Sequence, residues 1–227
     1  MDEFVKLRSL LQPKPEDREI CVGDLINKGP HSLEVLRLVQ NEKIEAVRGN
    51  HEDKLIRYYL HEKEKEQTGK KNPMRLDAPE LRLYHTLTPQ DFAFLFSLPL
   101  FIQFSSYTVV HAGVLPSTDL SHLDKKEAAK VMRVRYVDHK GRFVTLDRSD
   151  PRIHFWWSEL YDGRYGTIIY GHQPFLRPRI DRFSIGIDTG AVYGNTLTAL
   201  VIEEVEPQFV QVPSRTYAKR SRPWPLL

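Results

Sequence analysis

Apolar residues recur along this chain with two different periods, and the change of period marks its organisation. In "DEFVKLRSLLQ", Phe4, Leu7, Leu10 and Leu11 share one stripe at helical spacing, with Lys6 and Arg8 off it. "PKPEDRE" is polar and reads as a loop, and "REICVGD" is a short apolar run stopped by Gly-Asp, the pattern of a buried strand. "HSLEVLRLVQ" returns to helical spacing, with Leu33, Leu36 and Val39 inward. "KIEAVRGN" predicts a second strand, and "HEDKLIRYYLHEKEKE" a third helix that dissolves into a Glu/Lys run. An α-β-α-β-α order with short links predicts parallel strands covered by helices.

"EKEKEQTGKKNPMRLDAPE" then reads as a polar insertion, a mobile loop or solvated helix end. "TPQDFAFLFSLP" predicts a helix capped by Thr88, with Pro89 in its first turn. Beyond it the pattern changes. "LFIQF", "YTVVHAG", "GTIIYGHQP", "FSIGIDTG" and "LTALVIEE" read as strands, and "DHKGRFV" as a hairpin turning at Lys140-Gly141. No repeat or break in composition divides the chain. Residues 1–213 are expected to form one domain, followed by a basic, loosely packed tail, 214–227.

Composition narrows the function classes. The 227 residues are 41% hydrophobic, enough for a sizeable core. A formal net charge of +3 argues against a whole-protein electrostatic grip on nucleic acid. The single cysteine, Cys21, excludes a disulfide within the chain and fits a reducing compartment. No apolar run approaches the ~18 residues of a membrane span. The N-terminus lacks a signal-peptide core, so a cytoplasmic protein is expected, with neither membrane nor nucleic acid as partner.

Candidate chemistry gathers at the strand ends. "VGD" ends in Asp24, "VRGN" in Asn50, "VVH" in His111 and "IYGH" in His172. In such sheets ligands sit beyond the carboxyl ends of the strands. One carboxylate, one amide and two imidazoles make a sound ligand set for a divalent transition ion. Taken singly, each is as well explained by a turn or a hydrogen-bonded structural histidine. A metal site and a set of ordinary turns are both open from the residues alone.

The motifs "GDLINKGP", "RGNHED", "HAG", "GHQP" and "GIDTGAVYGNTLTAL" together resemble the phosphoprotein-phosphatase type of calcineurin-like metallophosphoesterase. Within that family the resemblance is to bacterial Ser/Thr protein phosphatases and the symmetrical diadenosine tetraphosphatase-like branch. It implies an α/β fold, a four-layer α/β/β/α sandwich of mixed sheets. It implies a hydrolase that uses two metal ions to activate a water as hydroxide. Asp24 would bridge both ions and Asn50, His111 and His172 would complete the second site. Asp24 and His51 would be catalytic, His51 as general acid to the leaving oxygen. Lys28, Asn50 and Arg135, with Arg133 as the alternative arginine, would hold phosphoryl oxygens. The cofactor is expected to be divalent, Mn2+ first, with Fe, Zn or Co also compatible. Phosphoserine or phosphothreonine proteins, or dinucleoside polyphosphates, are the implied substrates. Surface loops 62–80 and 117–130 are expected to choose between them.

Three departures qualify that resemblance. Asn27 and Lys28 stand where the phosphatase pattern has Asp and Arg, so His51 can be held only by a hydrogen bond and the forked guanidinium is lost. The family's first strand, ending in Gly-Asp-x-His-Gly, is absent, and a chain shortened at its start is one expected reason. The residues present fully ligand one ion. The alternative function is therefore a one-metal, catalytically impaired phosphate-binding or scaffold protein.

Overall fold

The computed structural model describes residues 1–203 and 207–220. Helix α1 (Asp2–Leu11) leads to strand β1 (Ile20–Cys21), helix α2 (Ser32–Asn41), strand β2 (Glu45–Ala46) and helix α3 (Asn50–Thr68). β1 and β2 pair in parallel, Ile20 beside Glu45 and Cys21 beside Ala46, as the alternating order requires. Helices α4 (Ala78–Thr86) and α5 (Pro89–Ser97) complete this half. Leu36, Val39, Leu55, Ile56, Phe92 and Leu95 form its core, and Tyr59 packs on Phe92 with ring centroids 4.3 Å apart.

The second half is built on a mixed sheet. β3 (Phe101–Phe104) and β4 (Tyr107–Val110) form an antiparallel pair. Next come helix α6 (Lys125–Val131) and three short strands, β5 (Tyr136–Val137), β6 (Phe143–Val144) and β7 (Phe155–Trp156), in a sheet of order β6-β5-β7. β8 (Thr167–Tyr170), β9 (Arg179–Asp181) and β10 (Ser184–Gly186) return to the main sheet, whose order is β3-β4-β8-β10-β9. The β4–β8 and β8–β10 pairs are parallel, so β4 and β8 present their carboxyl ends on the same side. β11 (Thr196–Val201) and β12 (Gln208–Pro213) close the chain as an antiparallel pair against which α1 packs. Trp156, Trp157, Ile168, Tyr170 and Phe175 fill the core of this half. Gly113 of "HAG" lies flat on Trp157; any Cβ there would fall inside the indole.

Four expectations change. Leu10 is 58% exposed, because α1 buries only Leu7 fully and its inward stripe is narrower than the spacing suggests. The polar insertion does run as a solvated helix end, α3 continuing to Thr68, but its far end also starts a further helix: α4 begins at an Asp77–Glu80 capping box with proline in its first turn. The 117–130 loop likewise contains α6, capped by Asp124, which accepts from the N–H groups of Lys126 and Glu127. The tail is docked rather than loose where it is described. Glu3 accepts hydrogen bonds from Ser214 Oγ (3.1 Å) and Tyr217 Oη (2.7 Å). Residues 221–227 lie outside the described part.

This docking has a pH signature. Burial alone would raise the Glu3 carboxyl, but Tyr217 and neighbouring donors outweigh it and hold the group down at about 2. A depressed carboxylate contributes stability above its unfolded value of 4.5, and that contribution disappears as pH falls toward about 2. Protection factors at residues 214–220, corrected for intrinsic exchange, are expected to fall over that window, and Glu3→Gln to flatten the dependence. Protection factors in the parent that do not change across it would contradict the assignment.

Candidate metal centre

The chain reaches the centre through strained backbone. After β1 it turns at Gly23 (φ +85°) and Asp24 (φ 54°), and after β8 at His172 (φ 68°). Left-handed non-glycine residues are costly and cluster where surrounding structure holds functional groups in place. Gly23 is required twice over, because a Cβ there would also lie 2.8 Å from Gly49 N and 2.9 Å from His111 Nδ1. After β2 the chain runs through Val47 to Gly49, and α3 begins at Asn50. β4 delivers His111, tied to the next strand end by Gly171 N donating to His111 O at 2.9 Å.

These turns bring Asp24, Asn50, His111 and His172 together. His111 is 1% exposed, and its Nδ1–H donates to Val22 O at 2.7 Å. That bond leaves a lone pair on Nε2 in the neutral ring, the arrangement typical of a metal-binding histidine. Around Nε2 stand Asn50 Oδ1 at 3.1 Å, His172 Nδ1 at 3.2 Å and Asp24 Oδ1 at 3.3 Å. The ligand atoms of Asp24, His111 and His172 all lie within 4.8 Å of one another. Donor atoms set this close can share one cation.

Electrostatics agree with that reading. Burial would raise the Asp24 carboxyl, but His111 above all holds it below its ordinary value. Burial would lower His111, and Asp24 more than reverses this. Burial, then the charge of Arg135, holds His172 well below the usual range, so its ring is neutral. His172 Nε2 is buried with no hydrogen-bond partner among the described residues. Mixed oxygen and imidazole donors of this kind fit a divalent transition ion.

The sequence reading missed the residue that aligns the centre. Glu52 is fully buried and accepts from the N–H groups of Gly49 (2.8 Å), Asp24 (3.0 Å) and Ile26 (3.2 Å). Burial, then the Asp24 charge, pushes its carboxyl up to about 7. Its signal was its place as third helical residue after Gly49, the acidic half of a capping box. Asp188 of "GIDTG" was also missed; burial raises its carboxyl, which accepts from Gly190 N at 2.9 Å.

The remaining candidates divide. His51 Nε2 lies 3.7 Å from Asp24 Oδ2, and its backbone N–H donates to Asp24 Oδ1 at 3.1 Å. Asn27 Oδ1 accepts from Lys28 N (2.8 Å), and Asn27 Nδ2 donates to Glu80 Oε1 (3.1 Å), which fixes the orientation of the amide. The same Nδ2 faces His51 Nδ1 at 2.8 Å, so Nδ1 must accept and the ring proton sits on Nε2. Burial lowers His51 further, against the pull of Asp24. The ring is thus held as a neutral donor rather than an imidazolium. Arg135 Nε donates to Gln173 Oε1 at 2.6 Å, one residue from His172. Arg133 is instead engaged by Asp53 of α3 at 2.9 Å. Lys28 is exposed, its Nζ 5.4 Å from the Tyr193 ring centroid.

Comparison with known proteins identifies the family. The model of the calcineurin-like phosphoesterase family matches residues 2–195. A bis(5'-nucleosyl)-tetraphosphatase PrpE [asymmetrical] of Halalkalibacterium halodurans is 35% identical over 209 residues, covering 88% of this chain and 81% of that protein. The Oceanobacillus iheyensis protein of the same name is 33% identical, covering 86% and 77%. The crystal structure of a protein assigned as a diadenosine tetraphosphatase superimposes with a TM-score of 0.72 at 23% identity, over 94% of this chain and 88% of that one. The chain belongs to the calcineurin-like phosphoesterases, a family of metal-dependent hydrolases of phosphoester or phosphoanhydride bonds, and has their α/β fold. The sequence motifs point to the symmetrical tetraphosphatases, whereas the relatives carry the asymmetrical name. No helix among the described residues is long and apolar enough to cross a membrane.

Proposed function

We propose that this calcineurin-like phosphoesterase hydrolyses dinucleoside polyphosphates at a centre held by Asp24, Asn50, His111 and His172. The observation that carries the reading is the ring of acceptor atoms around His111 Nε2. A divalent ion there, Mn2+ or a chemical relative, would lower the pKa of a water toward ~7 and offset phosphoryl charge. The residues present complete the ligand set of one ion. Asn50 and Arg135 orient the oxygens of the attacked phosphoryl group, and Lys28 serves the rest of the phosphate chain. The water gives one proton to solvent and its oxygen bonds to phosphorus as the bridging P–O bond breaks; the departing phosphate oxygen leaves as an anion, and the neutral His51 ring donates a hydrogen bond to it from Nε2.

The state of His51 favours polyphosphates over phosphoproteins. A neutral imidazole is a weak acid, and a serine or threonine alkoxide leaves only with a strong one. A nucleotide phosphate departs with little help. The names of the relatives favour the same substrate, cleaved asymmetrically to a nucleoside triphosphate and a monophosphate.

The test is turnover of diadenosine tetraphosphate and of a phosphothreonine peptide by the manganese-loaded chain, with products separated. ATP and AMP from the first, and little phosphate from the second, are expected; peptide turnover alone would overturn the reading. His51→Asn is expected to keep the metal and to slow an alkyl phosphate about 10²-fold, with a smaller loss on diadenosine tetraphosphate. Equal losses on both substrates would remove the role of His51 as hydrogen-bond donor to the departing oxygen.

A further inference from the structure

The basic C-terminal segment takes no part in the function proposed above, yet its described course ends on Tyr193, a ring that also meets Lys28. It is seated at several points. Glu3 holds Ser214 and Tyr217, and Arg215 N also donates to it at 3.4 Å. Tyr217 and Ala218 each donate a backbone N–H to Val192 O at 2.9 Å. Thr216 forms an isolated antiparallel bridge with Tyr193. Residues 214–220 are thus a strap laid over the loop that carries Tyr193.

The strap brings Arg220 onto Tyr193, with its guanidinium carbon 5.1 Å from the ring centroid. Lys28 Nζ stands 5.4 Å from the same centroid. Lys28 belongs to the segment that carries Asp24, and its positive charge is felt at His51, His172 and Asp188. Tyr193 therefore joins the strap to the segment that carries Asp24. Two like charges gathered on one ring repel each other, and the ring offers each only a modest attraction. What the ring supplies is placement. A guanidinium has five N–H donors and an ammonium three, so both can serve an anion beside the partners they already have.

We propose that Lys28, Tyr193 and Arg220 form a subsite for the phosphates that extend beyond the attacked one, with the strap as its outer wall. The inference rests on the dinucleoside polyphosphate reading and deepens it. A phosphomonoester places its one phosphate at the centre and has no anion left for this subsite. A tetraphosphate chain has three more phosphate groups to offer. Both cations lie against the Tyr193 ring, which suits the subsite to phosphate rather than to a stacked base.

The test compares kcat/KM for diadenosine tetraphosphate with kcat/KM for p-nitrophenyl phosphate in the full, manganese-loaded chain. In Arg220→Ala the ratio of the two is expected to fall about tenfold, the effect of losing one charge-assisted contact. Glu3→Ala, which touches no substrate but releases the strap, should lower the ratio in the same direction, and Arg220→Lys should restore part of it. Calorimetry gives a readout without turnover: Arg220→Ala should weaken inorganic tripolyphosphate about tenfold relative to inorganic phosphate. Melting curves of the variants exclude a general loss of folding. A ratio and a relative affinity both within about twofold of the parent would overturn the subsite alone. A parent that cleaves p-nitrophenyl phosphate but no dinucleoside tetraphosphate would overturn the substrate reading, and the subsite with it.

Discussion

Asp24→Asn is expected to lower kcat/KM by about 10³-fold or more, a loss at or beyond that of one preorganised electrostatic group, while the chain still folds. The substitution preserves shape and removes the one carboxylate of the cluster. Asp24 Oδ1 lies 3.3 Å from His111 Nε2 and accepts the His51 N–H at 3.1 Å, so one atom joins the centre to His51. An amide in either orientation cannot supply the negative charge that raises His111 and balances a cation. The loss should also appear without turnover. A ligand that binds only the folded state stabilises it by about 2.7 kcal/mol at a hundredfold excess over Kd. The parent should gain melting temperature with added manganese, and Asp24→Asn should not. A variant that melts and turns over like the parent would show that Asp24 lies outside the chemistry.

Glu52→Ala is expected to be the most destabilising single change near the centre. It strips the acceptor from the buried N–H groups of Gly49, Asp24 and Ile26 together. Each buried donor left without a partner costs about 1–3 kcal/mol, so a loss of at least ~3 kcal/mol is expected. Against a typical total of ~5–15 kcal/mol, that threatens folding itself. Glu52→Gln keeps one oxygen acceptor but turns an NH2 group toward a backbone donor, so an intermediate loss is expected. Urea unfolding of both variants measures this. A Glu52→Ala chain within about 0.5 kcal/mol of the parent would mean that water replaces the carboxylate at no cost.

Local signals in the chain were read well and distant ones poorly. The α5 cap at Thr88, the two parallel strands ahead of Asp24 and Asn50, and the main strands of the second half all follow from period and turn chemistry within a few residues. The four candidate ligands were legible because each ends an apolar run at a polar residue. Glu52 was not, because two of its partners lie 28 and 26 residues away and its own neighbourhood looks like a helix start. The docked tail was illegible for the same reason: Tyr217 meets Glu3 across 214 positions. A basic, proline-bearing segment looks unstructured until its acceptor is known. The orientation of Asn27 likewise depends on Glu80, 53 residues on, in a helix hidden within a charged stretch.

The central claim is that side chains from four separate strand ends share one cation. Anomalous scattering at the manganese edge, from a crystal of this chain grown with that metal, measures it directly. The expected result is a peak enclosed by Asp24 Oδ1, Asn50 Oδ1, His111 Nε2 and His172 Nδ1. Manganese bound elsewhere, or those atoms joined only by hydrogen bonds with no peak among them, would contradict it.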